Sequence, residues 1–290
     1  MTASSSPAFL VVDCYAQETR QDMAKMGVLP AGTIYSNAIK TFIRDCAVDI
    51  IFAADSNSSL AQYRNLSDYQ GCLWTGSSLM VDDGTRQVLR QIDLMKELFE
   101  KNVPIFGSCW ALQIAAVSAG GSVRRCLNGY EFGIARKIQL SAIGQSHPMF
   151  LGKKPVFESF AIHRDEVEKL PQSSLILASN EHTNVQAAII HHANSSFWGV
   201  QYHPEFDFAY MHSLTLRRKD NLIRDGFFSN EEECKRWAQF LLNIHHNPKS
   251  KSDLWFLGVD EQLVNPYHRM RELGNWLNYA LSRQSHMIAI

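Results

Sequence analysis

The fold of this chain is organised around one stretch, VPIFGSCWALQIAA at residues 103–116. Its first four residues predict a buried strand, residues 107–109 a sharp turn, and residues 110–119 a helix that ends at Gly120-Gly121. This pattern is that of a nucleophile elbow, a strained strand-to-helix turn that holds one side chain above the end of a sheet. Free N–H groups and the dipole at the start of the helix favour a thiolate there, and Cys109 holds that position.

The alternative for Cys109 is a buried core thiol, because free cysteine is among the most buried residue types. A second segment favours the functional interpretation. FWGVQYHPE at residues 197–205 predicts a strand that runs directly into His203-Pro204-Glu205. Proline keeps this turn extended, so His203 and Glu205 project to the same side, and Glu205 can orient the imidazole while its other nitrogen faces a thiol. Nucleophile, base and orienting acid are then present in the order Cys109, His203, Glu205.

Two motifs, GSCWALQ at residues 107–113 and QYHPE at residues 201–205, resemble the class I (triad) glutamine amidotransferase family. The chain is most similar to the free-standing, glutaminase-type members related to the amidotransferase domain of GMP synthase. WTGSS at residues 74–78, HRDEV at residues 163–167 and the tail from Arg269 to Trp276 extend the resemblance over most of the chain. One departure is Ala111, where the family usually has glycine.

The resemblance implies a flavodoxin-like fold and hydrolysis of the side-chain amide of glutamine, with the ammonia passed to a separate acceptor enzyme. With this triad, Cys109 attacks the amide carbon, His203 protonates the departing ammonia, and water releases glutamate from a γ-glutamyl thioester. The resemblance also implies an oxyanion hole formed by backbone N–H groups of the Gly76-Ser77 loop and of Trp110. It implies further that Gln113 helps to place the substrate. No cofactor is expected.

Two other functions stay open. One is a γ-glutamyl peptidase or hydrolase that acts on another γ-glutamyl or amide substrate. The other is a weakly active or non-catalytic binding module of the same fold, which Ala111 favours and the intact triad opposes. Release of ammonia from glutamine, compared with release of amines from γ-glutamyl compounds, discriminates among these functions.

The first half of the chain reads as alternating strands and helices. Apolar runs at residues 8–12, 48–54 and 71–74 predict strands, and apolar positions at helical spacing predict a helix over residues 34–46. A long helix is expected to start at Asp82-Asp83-Gly84-Thr85. This order predicts a doubly wound, mostly parallel α/β sheet, in which ligands bind beyond the carboxyl ends of the strands. Four residues fall at those ends, namely Asp13, Asp55, Thr75 and Cys109. A strand-closing aspartate is also commonly the cap of the next helix.

The second half changes to short alternating runs, which predict an antiparallel or mixed portion of the sheet. These runs are at residues 134–140, 156–162, 175–178, 185–191 and 197–202. From Phe206 onward the chain is predicted to be mostly helical, with a break near residues 246–252. We therefore expect an α/β glutaminase domain at residues 1–206 and a helical C-terminal extension at residues 207–290, packed on the same domain.

Histidine 163 is a rival for the role of base because it follows one of the predicted strands. His203 is favoured since only it has an acid at the orienting spacing and a proline-held turn. We interpret the remaining candidates, His147, His182, His191 and His192, as surface or structural residues. The sequence has no His, Cys, Asp and Glu set with convincing metal spacing.

Charge and composition limit the partners. The net charge is −1 and the pI is near 6.8, so no strong field favours nucleic acid or an anionic membrane. Arg217-Arg218-Lys219 reads as a solvated helix face. Six cysteines without C-x-x-C spacing, no apolar run of membrane-spanning length and no signal-like start predict reduced thiols and a cytoplasmic location. The sequence has no Walker A motif, so activation of an acceptor is expected to need a separate synthase.

Overall fold

The structure is a computed structural model that describes residues 6–58 and 63–287. Its strands are β1 (Ala8–Asp13), β2 (Ala47–Phe52), β3 (Gly71–Trp74), β4 (Ile105–Ser108), β5 (Ser122–Arg125), β6 (Glu131–Leu140), β7 (Val156–His163), β8 (Asp165–Lys169), β9 (Ser174–Ser179), β10 (Ala187–His192) and β11 (Ser195–Val200). Its helices are α1 (Gln17–Lys25), α2 (Ala31–Phe42), α3 (Arg86–Glu100), α4 (Trp110–Ser118), α5 (Ala142–Ser146), α6 (Phe208–Arg217), α7 (Lys219–Arg224), α8 (Glu231–His246), α9 (Lys251–Leu257), α10 (Glu261–Val264), α11 (Pro266–Arg269) and α12 (Arg271–Met287).

The main sheet has the strand order β2-β1-β3-β4-β11-β10-β9-β6-β7. Strands β2, β1, β3, β4 and β11 run parallel, and β10, β9, β6 and β7 continue the sheet with antiparallel pairing. This arrangement confirms the predicted mostly parallel α/β sheet and its antiparallel portion. A separate ribbon of β5 and β8 was not predicted.

Helices cover both faces of the sheet, because alternate residues of a buried strand point to opposite sides. All of β1 is buried. Leu10 and Val12 belong to a core that includes residues of α3 and α4, whereas Phe9 and Val11 belong to a core that includes residues of α2 and α12. Trp276 of α12 is fully buried, and its ring lies 6.4 Å from Phe9 and 5.8 Å from Phe106. The predicted helical C-terminal part is therefore present and covers the sheet.

Several predicted boundaries are wrong by a few residues. The helix expected over residues 34–46 spans Ala31–Phe42, so Cys46 lies outside it. The carboxylate of Asp13 explains the earlier start, since it accepts a hydrogen bond of 2.8 Å from the N–H of Gly32 in the first turn. Asp13 does not cap the next helix along the chain, α1, which has no side-chain cap, so the predicted capping role is wrong in its helix. The domain boundary at residue 206 stays a prediction. Among residues 6–58 and 63–287, no helix is long and apolar enough to cross a membrane.

Candidate active site

Cys109 lies on the turn between β4 and α4, as the sequence predicts. Its backbone has φ 53° and ψ −103°, a conformation that side-chain-bearing residues rarely adopt and that is concentrated at functional sites. The N–H of Cys109 donates a hydrogen bond of 2.7 Å to the carbonyl of Val200, which ties the turn to the end of β11. The sulfur lies 3.8 Å from the carbonyl oxygen of Ile162. The strand, the strained turn and the helix together form the elbow that the sequence predicts.

A close contact between β4 and α4 explains why the residues two positions before and after the cysteine, Gly107 and Ala111, are small. A Cβ atom added to Gly107 would lie 2.3 Å from Cβ of Ala111 and 3.0 Å from the carbonyl oxygen of Trp74. Glycine is therefore required at position 107. The methyl group of Ala111 is fully buried and packs towards Gly107, so it belongs to the core of the elbow and does not line the pocket over Cys109.

His203 follows the end of β11 and is held from three sides. Its backbone N–H donates a hydrogen bond of 2.7 Å to the backbone carbonyl of Phe160, and its ring stacks on that of Phe206 at a centroid distance of 4.0 Å. Glycine at position 76 allows the close approach, because an added Cβ there would lie 2.7 Å from Cε1 of His203. Nδ1 lies 2.7 Å from Oε1 of Glu205, as expected for an orienting acid. The imidazole is thus fixed in one orientation.

The second ring nitrogen of His203 is left for the thiol. Nε2 is buried and makes no hydrogen bond of normal geometry with any residue that the structure describes. Burial disfavours the charged ring, but the negative charge of Glu205 and its hydrogen bond to the ring, together with the nearby thiol of Cys109, outweigh burial and raise the pKa of His203 to about 9. The site therefore favours an imidazolium beside Cys109, the form that stabilises a thiolate.

Two polar residues that the sequence analysis missed support the triad carboxylate. The hydroxyl of Ser108 donates to Oε1 of Glu205 at 2.9 Å, and the hydroxyl of Tyr35 donates to Ser108 at 2.7 Å. Both residues are buried. Tyr35 comes from α2, 73 residues away from Ser108, so sequence proximity gave no signal for it. Ser108 adjoins the nucleophile, and a side chain at that position points away from the cysteine towards the acid.

The predicted oxyanion residues lie beside Cys109. Trp110 is the first residue of α4, so its N–H has no acceptor within the helix and is available to a ligand. Its indole is fixed by a hydrogen bond of 2.7 Å to the buried side chain of Gln91, a residue the sequence analysis did not single out. The hydroxyl of Ser77 donates to the carbonyl of Cys14 and accepts from the N–H of Leu79, so its side chain holds the loop in shape.

The side-chain amide of Gln113, predicted to help place the substrate, makes its hydrogen bonds within the protein. Its Nε2 donates to the carbonyl of Asp165 at 2.9 Å and lies 3.4 Å from Oε1 of Gln201. The residue lines the pocket over Cys109 and connects the elbow helix to the segment after β7. Its amide group therefore fixes the pocket wall, and its contact with substrate stays a prediction.

The reason given for preferring His203 over His163 is wrong in one respect. His163 also has an acid, since its Nε2 lies 2.7 Å from Oε2 of Glu131. Its Nδ1 lies 3.0 Å from the carbonyl of Asp165 and 3.4 Å from the sulfur of Cys126. Both nitrogens of His163 are thus occupied by this network, whereas Nε2 of His203 is not, and this difference supports His203 as the base.

A pocket of about 160 Å³ lies over Cys109. Its lining includes the predicted residues Ser77, Trp110 and Gln113 together with charged and aromatic side chains, namely Arg125, Tyr130, Arg164, Asp165 and Arg218. The interpretation of Arg218 as part of a solvated helix face is therefore wrong. A larger cavity of about 620 Å³ opens at Glu205 from another side and does not include Cys109 in its lining. In the described part of the chain, no group of three or more His, Cys, Asp or Glu side chains is placed to hold a metal ion.

Comparison with known proteins identifies the family. The family model for glutamine amidotransferase class-I matches residues 34–219. Among curated proteins, a γ-glutamyl-L-1-hydroxyisopropylamide hydrolase from Pseudomonas sp. is 29% identical over 93% of this chain and 92% of its own length. A glutamine-hydrolysing GMP synthase from Latilactobacillus sakei is 24% identical over 66% of this chain, which spans only 34% of that protein.

A solved structure supports the fold. A glutamine amidotransferase from Thermotoga maritima has a TM-score of 0.66 and 16% identity, covering 96% of this chain and 99% of that one. At this identity the likeness extends to the fold alone. The chain therefore spans nearly the whole length of the Pseudomonas hydrolase but only about a third of the length of the GMP synthase.

Proposed function

The chain belongs to the class-I glutamine amidotransferase family, and we propose that it is a cysteine amidohydrolase that cleaves the γ-amide of a glutamyl group. The observation that carries this proposal is the relation between Cys109 and His203. The nucleophile stands on a strained turn at the start of a helix, and the buried imidazole, fixed by Glu205, keeps one nitrogen free of other partners. This arrangement supports Cys109 as the nucleophile and His203 as the acid and base of covalent amide hydrolysis.

The reaction proceeds through an acyl-enzyme. The thiolate of Cys109 attacks the γ-carbonyl carbon, and the oxyanion is met by the N–H of Trp110 and by the Gly76-Ser77 loop. The His203 imidazolium donates its proton to the departing nitrogen, so the C–N bond breaks and a γ-glutamyl thioester remains. Water, deprotonated by His203, then attacks the thioester and releases glutamate and the thiolate. Glu205 orients His203 and stabilises its charge in both halves.

Glutamine is the substrate that the family assignment favours, and ammonia is then the first product. In that case a separate synthase subunit would use the ammonia, as expected from the lack of a Walker A motif in the sequence. A second candidate is an N-alkyl amide of the γ-carboxyl group. This candidate is favoured by the match to the Pseudomonas hydrolase, which extends over nearly the whole of both chains. The two candidates differ only in the leaving group.

The test is a comparison of two substrates on one enzyme. Ammonia released from glutamine and amine released from γ-glutamyl isopropylamide are measured with the wild-type protein and with Cys109→Ala. Higher kcat/KM for glutamine supports the amidotransferase, and higher kcat/KM for the alkyl amide supports the hydrolase. If the wild-type protein turns over neither substrate faster than Cys109→Ala, the proposed function is wrong.

We place the enzyme in the cytoplasm as part of the same proposal. The six cysteines carry free thiols, including the buried Cys14 and Cys72. Free thiols fit a reducing compartment. Loss of activity on oxidation with a mild disulfide reagent, reversed by a thiol, is the expected behaviour of an enzyme that depends on Cys109.

A further inference from the structure

The pocket over Cys109 contains three arginines from three parts of the chain. Two of them already have acidic partners. Arg125 lies 3.4 Å from the carboxylate of Asp165, and Arg164 forms an ion pair with Asp225. Arg218 has no ion pair or side-chain hydrogen bond with any residue in the described ranges, and its Nε is buried without a partner. Arg218 thus brings a positive charge into the pocket that the protein itself does not neutralise.

A second donor without an acceptor lies in the same pocket. The hydroxyl of Tyr130 is buried and makes no hydrogen bond with the residues that the structure describes. Its ring is fixed by the guanidinium of Arg164, 4.3 Å from the ring centroid, and by the edge of Phe227. Burial raises the pKa of Tyr130, although the positive charge of Arg218 opposes that rise. The hydroxyl is therefore protonated at neutral pH. Tyr130 can therefore donate a hydrogen bond.

Buried donors without acceptors are rare, because each costs the free energy of its lost hydration. Arg218 and Tyr130 both line the cavity over Cys109, and the described part of the protein supplies no acceptor for the Arg218 guanidinium or the Tyr130 hydroxyl, so this pair favours an anionic ligand. A carboxylate fits this pair, since arginine binds carboxylates through charge-assisted hydrogen bonds and a phenol can add another. The γ-glutamyl group carries one carboxylate away from the scissile amide, on its α-carbon.

We propose that Arg218 and Tyr130 bind the α-carboxylate of the substrate, so that the enzyme selects γ-glutamyl amides with a free α-carboxylate. This inference rests on the proposed function, because it assigns the glutamyl group to the pocket over Cys109. It also explains a role for the segment after the triad. Helix α6 begins three residues after Glu205 and ends at Arg217, which places Arg218 back at the mouth of the pocket.

The test uses two substrates that differ only in the α-carboxylate. These are γ-glutamyl isopropylamide and the same compound with its α-carboxyl group converted to a carboxamide, with glutamine and glutaminamide as the parallel pair. Each is assayed with the wild-type protein, Arg218→Met, Tyr130→Phe and the control Arg217→Met, because Arg217 neighbours Arg218 in the chain but does not line the pocket.

The wild-type enzyme is expected to prefer the free carboxylate by about 10- to 100-fold in kcat/KM, the range for a lost hydrogen bond to a charged group. Arg218→Met should lose most of this preference through a higher KM for the carboxylate substrate, with little change for the carboxamide. Tyr130→Phe should lose a smaller part, and Arg217→Met should keep the preference. Labelling of Cys109 by neutral iodoacetamide at the wild-type rate would show that the site is intact in Arg218→Met.

The possible failures are distinct. If the wild-type protein hydrolyses none of the four compounds, the proposed function fails, and the carboxylate assignment fails with it. If the wild-type protein hydrolyses them and Arg218→Met retains the full preference for the free carboxylate, only the carboxylate assignment is overturned. Equal loss of preference in Arg217→Met would also overturn it, because a general reduction of positive charge would then explain the effect.

Discussion

Replacement of Glu205 by glutamine should change the pH at which the enzyme loses activity. In the structure, Glu205 is the largest influence that raises the pKa of His203, which stands at about 9 compared with an ordinary value of 6.5. This rise corresponds to ~3 kcal/mol in favour of the imidazolium form. At pH 7.5 the imidazolium is then in ~30-fold excess over the neutral ring. The acylation half of the reaction needs this proton for the leaving group.

In Glu205→Gln, burial still disfavours the charged ring, while the opposing carboxylate is gone. We expect the alkaline limb of kcat/KM to move from about 9 downward by ~2 pH units. The protonated fraction at pH 7.5 then falls by a factor on the order of four. A larger loss of turnover at that pH would measure how much Glu205 contributes by orienting the ring.

The assay is the pH profile of kcat/KM for wild-type protein and Glu205→Gln, with Glu131→Gln as a matched control. Glu131 is the acid of the other buried His–Glu pair, that of His163. Its replacement should leave the position of the alkaline limb unchanged. An alkaline limb that is equally high in Glu205→Gln, or one that moves only in Glu131→Gln, would refute the assignment of His203 and Glu205.

The raised pKa of His203 also predicts how the free energy of unfolding changes with pH. Since the pKa of His203 is higher in the folded than in the unfolded chain, the stabilisation by its charge is complete below pH 6.5 and is lost as the pH rises through about 9. The free energy of unfolding of the wild-type protein should therefore decline over this window more than that of Glu205→Gln.

Three further predictions concern the elbow and its support. Ser108→Ala removes the hydrogen bond to Glu205 and should lower kcat by ~10-fold or more with little change in KM, whereas an unchanged kcat would make Ser108 a packing residue. Gly76→Ala places a Cβ 2.7 Å from Cε1 of His203, so it should displace the imidazole and abolish turnover. Circular dichroism should show that the variant stays folded, and turnover at the wild-type rate would show that the loop relaxes freely. Ala111→Gly should raise basal turnover of glutamine, because it removes a buried methyl group that packs at the start of the helix carrying the Trp110 N–H. Equal or lower turnover would show that the alanine is a neutral packing choice.

The positions of Cys109, His203 and Glu205 in the fold were predictable from the sequence because their signals are local. A strand-turn-helix pattern identifies Cys109, and His203 and Glu205 are two residues apart on a proline-held turn. The parallel strands were predictable for the same reason, since β1 and β3 are short apolar runs. By contrast, SVRR of β5 and DEVEK of β8 are strongly charged, so their pairing is not visible as an apolar pattern.

The residues that surround the triad could not be found this way, because their contacts depend on tertiary structure. Glu131 and His163 lie opposite each other in the register of β6 and β7, although 32 residues separate them in the chain. Tyr35 of α2 contacts Ser108 of β4, and Arg218, at the end of α6, lines the pocket over Cys109. Neither contact has a local signal in the sequence. The triplet Arg217-Arg218-Lys219 would read the same in the sequence whether it lay on a solvated helix face or beside a pocket.

The central claim is that Cys109 is the nucleophile that the elbow and His203 activate. The most direct measurement is to treat the protein with 6-diazo-5-oxo-norleucine, a glutamine-like electrophile, and to locate the adduct by peptide mass spectrometry. Burial raises the pKa of the Cys14, Cys72 and Cys126 thiols, so these should stay unreactive. We expect one adduct per chain, on Cys109, blocked by excess substrate and absent from Cys109→Ala. An adduct found mainly on another cysteine, or labelling that persists in Cys109→Ala, would contradict the claim.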